Sequence, residues 1–238
     1  MNSVEDAFKS LADLGCEIEA AEKVHRKKFL AEETEEYNSS RCLVDGLISS
    51  IYLKTNEPIS NVSPESEYQL LVGASFIRTH LLLHNLILNG QIIDSHCLLR
   101  KQLEQLARLQ ELEEKTITEL GTKKTPNVSK AGDGTLGRIY GAQSQVAHFS
   151  DPEVGSSLLN VVPNTDHARV TALPVYTMNS VYAMNSRLFL AIQFSSWFIS
   201  KLIRWYPKKN FDLLQEQFVI AAETCVAAGI INKNPAKG

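Results

Sequence analysis

The chain has 238 residues, 44% of them hydrophobic and 21% charged, an ordinary globular balance that lets one domain bury a core without disulfide or metal staples. A formal charge of −3 at pH 7 and a pI near 6.1 exclude a general nucleic-acid coat protein, which would be strongly basic, but leave room for a local basic site. The start, MNSVEDAFKSLADLG, lacks a basic segment followed by an apolar one, and Cys16, Cys42, Cys97 and Cys225 show no CxxC spacing. A cytoplasmic protein with reduced thiols in a helical core is expected, with no cofactor, metal or membrane partner.

Periodicity predicts helices throughout. Phe8, Leu11, Leu14 and Ile18 recur at helical spacing in a first helix over Val4–Thr34. A second covers Tyr37–Leu53, and residues 1–60 together read as a peripheral N-terminal pair. Pro64, followed by Glu65 and Glu67, opens a third helix to Leu88, because proline fits the first turn and carboxylates suit the positive end of the dipole. It is apolar around most of its circumference, as central bundle helices are. The fourth helix, Gln91–Leu120, begins apolar and ends charged, so its far end is expected in solvent or against a second subunit. Residues 121–137 read as a flexible loop. A fifth helix spans Leu136–Phe149. Two short runs within 158–173, flanking Pro163–Asp166, suggest a small β-hairpin. Pro174 opens a long helix to Tyr206, whose core LFLAIQFSSWFISKLI is too short and too polar for a bilayer span. A last helix covers Asn210–Ala228. The sum is a single all-α domain over 1–238, an antiparallel bundle of five to seven helices.

Four patterns carry chemistry. Gly132-Asp133-Gly134-Thr135-Leu136-Gly137 matches GxGxxG, but no strand precedes it, so a solvated loop is the better reading than a dinucleotide site. His80 and His84 stand one helical turn apart and could face one metal, with His96 as a third ligand. The residues between them are Leu81, Leu82 and Leu83, so histidines bordering the core are the favoured reading. His96, Arg100 and Glu104 repeat every four residues, which stacks them on one helix face. Tyr140, Ser144 and His148 do the same on the fifth helix. Arg100 offers a fork of donors to an anion, Glu104 can hold it or act as an acid or base, and His148 suits proton transfer near neutral pH. The two stripes converge on one pocket if their helices pack face to face. The run Lys201, Arg204, Trp205, Tyr206, Lys208, Lys209 mixes cations with aromatics, suited to stacked bases and phosphates or to an ordinary helix end.

LLRKQLEQLARLQEL, then IYGAQSQVAHFSD, then a proline-led long helix resemble bacterial HEPN-like helical-bundle proteins, over the middle half of the chain from the third helix through Tyr206. The resemblance implies an all-α bundle, commonly a homodimer, acting in host defence or in toxin–antitoxin pairs. The best-known members are metal-independent ribonucleases, with an arginine and a histidine at R-x4–6-H spacing. Here nine residues separate Arg138 from His148, and Gln143 stands at the short spacing. Cleavage would therefore need Arg100 to substitute from another helix.

Two readings follow. In the first, Arg100, Glu104, Ser144 and His148 are catalytic, while Tyr140, His96, Arg204 and Lys208 bind RNA or a nucleotide; without cleavage, the chain is a degenerate HEPN-like relative that only binds RNA or a nucleotide. In the second, the chain is a non-enzymatic bundle that binds a protein partner, and the same polar residues are structural.

Overall fold

The computed structural model describes residues 3–55, 58–59, 62–121, 125–128, 135–148, 159–161, 168–170 and 173–232. Among them are eight helices: α1 (Ser3–Glu32), α2 (Glu35–Thr55), α3 (Pro64–Leu88), α4 (Ile92–Glu114), α5 (Ile117–Gly121), α6 (Thr135–Ala147), α7 (Met178–Trp205) and α8 (Asp212–Ala227). The protein is an all-α bundle. Two three-residue strands, Leu159–Val161 and Ala168–Val170, pair antiparallel with Leu159 opposite Val170. The turn expected between them, and the glycines of the GxGxxG match at 132 and 134, lie outside the described residues.

Local chemistry sets the helix ends. Ser63 caps α3 by accepting from the Ser66 N–H at 3.2 Å, with Pro64 in the first turn. The single helix expected over 91–120 is two. Lys115 is extended, with φ −130° and ψ 144°, and Thr116 then starts α5 with a reciprocal capping box. The Thr116 N–H donates to Glu119 Oε2 at 2.7 Å, and the Glu119 N–H donates to Thr116 Oγ1 at 3.3 Å. Between α3 and α4 the chain turns at Gly90, whose φ is +77°. A Cβ there would meet His25 Cδ2 at 2.7 Å and Pro174 Cβ at 2.8 Å, so glycine is needed for both conformation and space.

The core lies where α3 and α7 cross antiparallel. Phe76 stacks on Phe194 with centroids 4.2 Å apart, and Phe194 on Phe198 at 5.0 Å. Gly73 admits the Phe198 ring, which a Cβ would meet at 2.5 Å. Each fully buried ring or branched side chain here contributes about 1.5–3 kcal/mol. By length and composition α3 alone of the described helices could cross a membrane. In the bundle it buries Val72, Phe76, Ile77, Leu83 and Ile87.

Three expectations are corrected. The far half of α4 does not project: Leu103, Leu106, Leu109 and Leu112 are buried as α4 packs against α3, α6 and α7. Residues 1–60 are not uniformly peripheral, because α2 delivers Val44, Leu47, Ile48 and Ile51 to the core. Of the four cysteines, only Cys225 is buried, while Cys16, Cys42 and Cys97 are exposed. Cys225 sits in the core, where burial pushes its thiol up to about 11 despite a hydrogen bond to Ser40.

Candidate functional site

The packing of α6 on α4 joins the two polar stripes. Arg100 is the hub. Its Nε donates to Glu104 Oε1 at 3.2 Å, its Nη2 to the Tyr140 hydroxyl at 3.0 Å, and its Nη1 lies 2.6 Å from His148 Nε2. The Tyr140 hydroxyl in turn donates to Glu104 Oε1 at 3.1 Å. The guanidinium also lies over the Tyr140 ring, 5.1 Å from its centroid, a cation–π placement. Burial works against the Arg100 charge, but the hydrogen bonds to Tyr140 and Glu104 outweigh it and hold its pKa above the ordinary arginine value. A guanidinium only donates. The contact with His148 is therefore made to an unprotonated Nε2, which leaves the ring proton on Nδ1.

The cluster lies at the surface. Arg100 and Glu104 side chains are 24% and 30% exposed, and His148, just beyond the end of α6, is exposed. An exposed ion pair of this kind contributes little to stability, about 0–1 kcal/mol. A cation fork, a carboxylate, a phenol and an imidazole meeting at a solvent-facing helix junction can bind an oxyanion and move a proton.

The remaining candidates separate. His96 is buried one turn before Arg100, where its Nδ1 hydrogen-bonds Gln143 Oε1 and its ring stacks on Tyr182 at 6.2 Å. Burial lowers its pKa, and the Gln143 hydrogen bond offsets this only in part. It therefore supports the α4–α6 contact rather than facing solvent. Ser144 lies between Tyr140 and His148 on α6 but forms no side-chain hydrogen bond among the described residues. Arg204 and Lys208 are exposed at the far end of α7, and Arg204 is 22 residues, roughly 33 Å of helix, from Tyr182. They do not belong to the Arg100 cluster.

A second polar constellation joins α2, α3 and α7. Asp45 accepts from His80 Nε2 at 2.8 Å and from the Arg187 Nη2, and its other oxygen lies 3.0 Å from His84 Nδ1. Arg187 Nε also donates to the His80 carbonyl at 3.1 Å. The Arg187 and His80 side chains are fully buried. Burial, helped by Arg187, pushes His80 down to about 4 against the pull of Asp45. Burial alone would raise Asp45, yet hydrogen bonds from His80 and His84 and the charge of Arg187 hold it far below the carboxylate range. The two histidines singled out by spacing thus meet, but around a carboxylate and a guanidinium. Among the described residues no group of three or more His, Cys, Asp or Glu side chains is placed to hold a metal ion, and His96 stands apart on α4. Asp45 and Arg187 escaped the sequence reading. The one available signal was Arg187 itself, a lone charge between Ala183, Met184, Leu188, Leu190 and Ala191, where a charge has to find a partner.

Comparison with family models, curated proteins and solved structures finds no match to this chain.

Proposed function

We propose that this protein is a HEPN-like, metal-independent RNA-cleaving protein of the cytoplasm, serving a bacterial defence or toxin–antitoxin role. The supporting observation is the solvent-facing pair of Arg100 Nη1 and His148 Nε2, 2.6 Å apart, brought from two helices in place of the short R-x-H spacing. His148 Nε2, whose lone pair accepts from Arg100 Nη1, becomes a general base once a substrate phosphate draws the Arg100 fork away. It takes the proton of an RNA 2′-hydroxyl, the 2′-oxygen attacks the adjacent phosphorus, and the 5′-oxygen leaves with a proton returned from the imidazolium. The products are a 2′,3′-cyclic phosphate and a 5′-hydroxyl. Arg100 offsets the charge that builds on the non-bridging oxygens, and Glu104 with Tyr140 keeps its fork aimed.

The competing reading is a non-enzymatic interaction bundle, favoured by the closure of the network: all three Arg100 nitrogens already have partners within the chain. RNA cleavage by wild type and His148→Ala in EDTA, alongside thermal melting of both, separates the two. Loss of cleavage at unchanged melting supports the enzyme. An inactive wild type with a large melting loss in the variant leaves the interaction bundle.

A further inference from the structure

Among the described residues, α1 is held to the bundle by its last turns alone. His25 donates and accepts between the Leu88 carbonyl at 3.0 Å and the Ser180 hydroxyl at 2.9 Å, and Phe29 is 2% exposed. The helix face that buries these two continues toward the N-terminus through Ile18, Leu14, Leu11, Phe8 and Val4. There the row is open among the described residues: Val4 is 64% exposed, Phe8 68%, Leu11 67% and Leu14 45%. A row of exposed large apolar side chains on a projecting helix is the mark of a surface that another surface covers. The arm is also acidic, with six carboxylates from Glu5 to Glu22 against the single cation Lys9.

The opposite charge lies at the other end of the molecule. Where α7 turns into α8, Arg204 and Lys208 are exposed, as are Ile203 at 42% and Leu213 at 68%, and the cations Arg204, Lys208 and Lys209 outnumber the carboxylates Asp212 and Glu216. Neither Arg204 nor Lys208 forms an ion pair among the described residues. The arm does not rest on its own corner: Val4 and Phe8 are exposed, and so are Arg204 and Lys208.

We infer that the apolar, acidic arm of α1 docks on the apolar, basic α7–α8 corner of a second copy of this chain, giving a head-to-tail assembly. Such a contact uses two different surfaces, so it propagates into a filament or closes as a ring rather than stopping at a symmetric dimer. The apolar rows and the opposed charges supply the affinity together, and the charges also set the direction and the register.

Sedimentation velocity of the full chain over rising protein concentration, at low and at high salt, tests this. Wild type is expected to grow past the dimer at low salt and to fall back toward monomer at high salt. Phe8→Ser/Leu11→Ser and Arg204→Glu/Lys208→Glu are each expected to weaken association by about tenfold or more. All four positions are exposed, and unchanged circular dichroism melting establishes that both variants fold. Mixing them is decisive, because each retains one intact half of the contact and the mixture should form a one-to-one heterodimer. A wild type that stays monomeric at every concentration overturns the inference. So does a corner variant that associates as wild type does, since that result means arm pairs with arm. A corner variant that loses only RNA retention, with association unchanged, assigns the corner to nucleic acid and overturns it as well.

Discussion

His148 Nε2 lies 2.6 Å from Arg100 Nη1, although 48 positions separate the two residues in the chain. The contact needs both the four-residue repeat of each helix and the packing of α6 on α4. It predicts that His148→Ala lowers RNA cleavage in EDTA by about 100-fold or more, with unfolding free energy changed by less than about 0.5 kcal/mol because the ring is exposed. Arg100→Lys should abolish cleavage too, since a point charge cannot reach Glu104, Tyr140 and His148 together. Gel assays on a structured RNA and chemical denaturation check both numbers.

The buried network around Asp45 makes a different prediction. Asp45→Ala leaves the wholly buried Arg187 without its counter-charge and should cost about 3–5 kcal/mol in urea denaturation. Removing both charges, as Asp45→Ala/Arg187→Met, should cost clearly less than the sum of the single changes, because no uncompensated ion remains. Strict additivity would mean that the two groups do not interact.

The same network sets the acid limb of stability. His80 titrates near 6.5 when unfolded and about 4 when folded, so the unfolded chain takes up the proton first. Stability is then complete above pH 6.5 and falls as pH drops from 6.5 toward 4, by up to about 3 kcal/mol from His80. His25 and His96, both lowered by burial, act in the same direction. Asp45, held low in the folded state, adds a loss that begins only below its unfolded value of 3.8. Melting temperature measured from pH 8 to pH 4 should therefore begin to decline near pH 6.5, well above the range in which Asp45 contributes, and His80→Asn should flatten that decline.

Gly73→Ala tests the α3–α7 crossing. The new methyl would meet Phe198 Cε2 at 2.5 Å, and Phe198 is 1% exposed, packed against Phe194, Trp197 and Trp205. The ring has nowhere to swing, so the substitution should cost about 1–3 kcal/mol despite alanine's better helix propensity. Gly15→Ala, with nothing within 4 Å of the added carbon, should instead be neutral or stabilising by up to about 1 kcal/mol.

The bounds of α3 were legible to the residue, because Pro64 and the Asn89-Gly90 pair are local signals that act whatever surrounds them. The break at Lys115 was equally local, written as Thr116 and Glu119 three apart, but the leucine seam of α4 carried the periodic pattern across it. For the candidate site, the stripes His96–Arg100–Glu104 and Tyr140–Ser144–His148 could be drawn from spacing alone. Which members would share a cluster could not. His96 turned inward to Gln143, and Arg204 lay at the other end of the bundle.

What the sequence by itself determined is what short-range physics controls: helical class, most helix ends, and which residues share a helix face. Only the tertiary structure decided that α4 lies inside the bundle, that Arg100 meets His148, and that Asp45 lies against Arg187, 142 positions away. Those outcomes depend on which apolar faces interlock. Many helix pairings bury similar areas, and the choice among them rests on the fit of particular side chains, such as Phe198 over Gly73, that no single helix encodes.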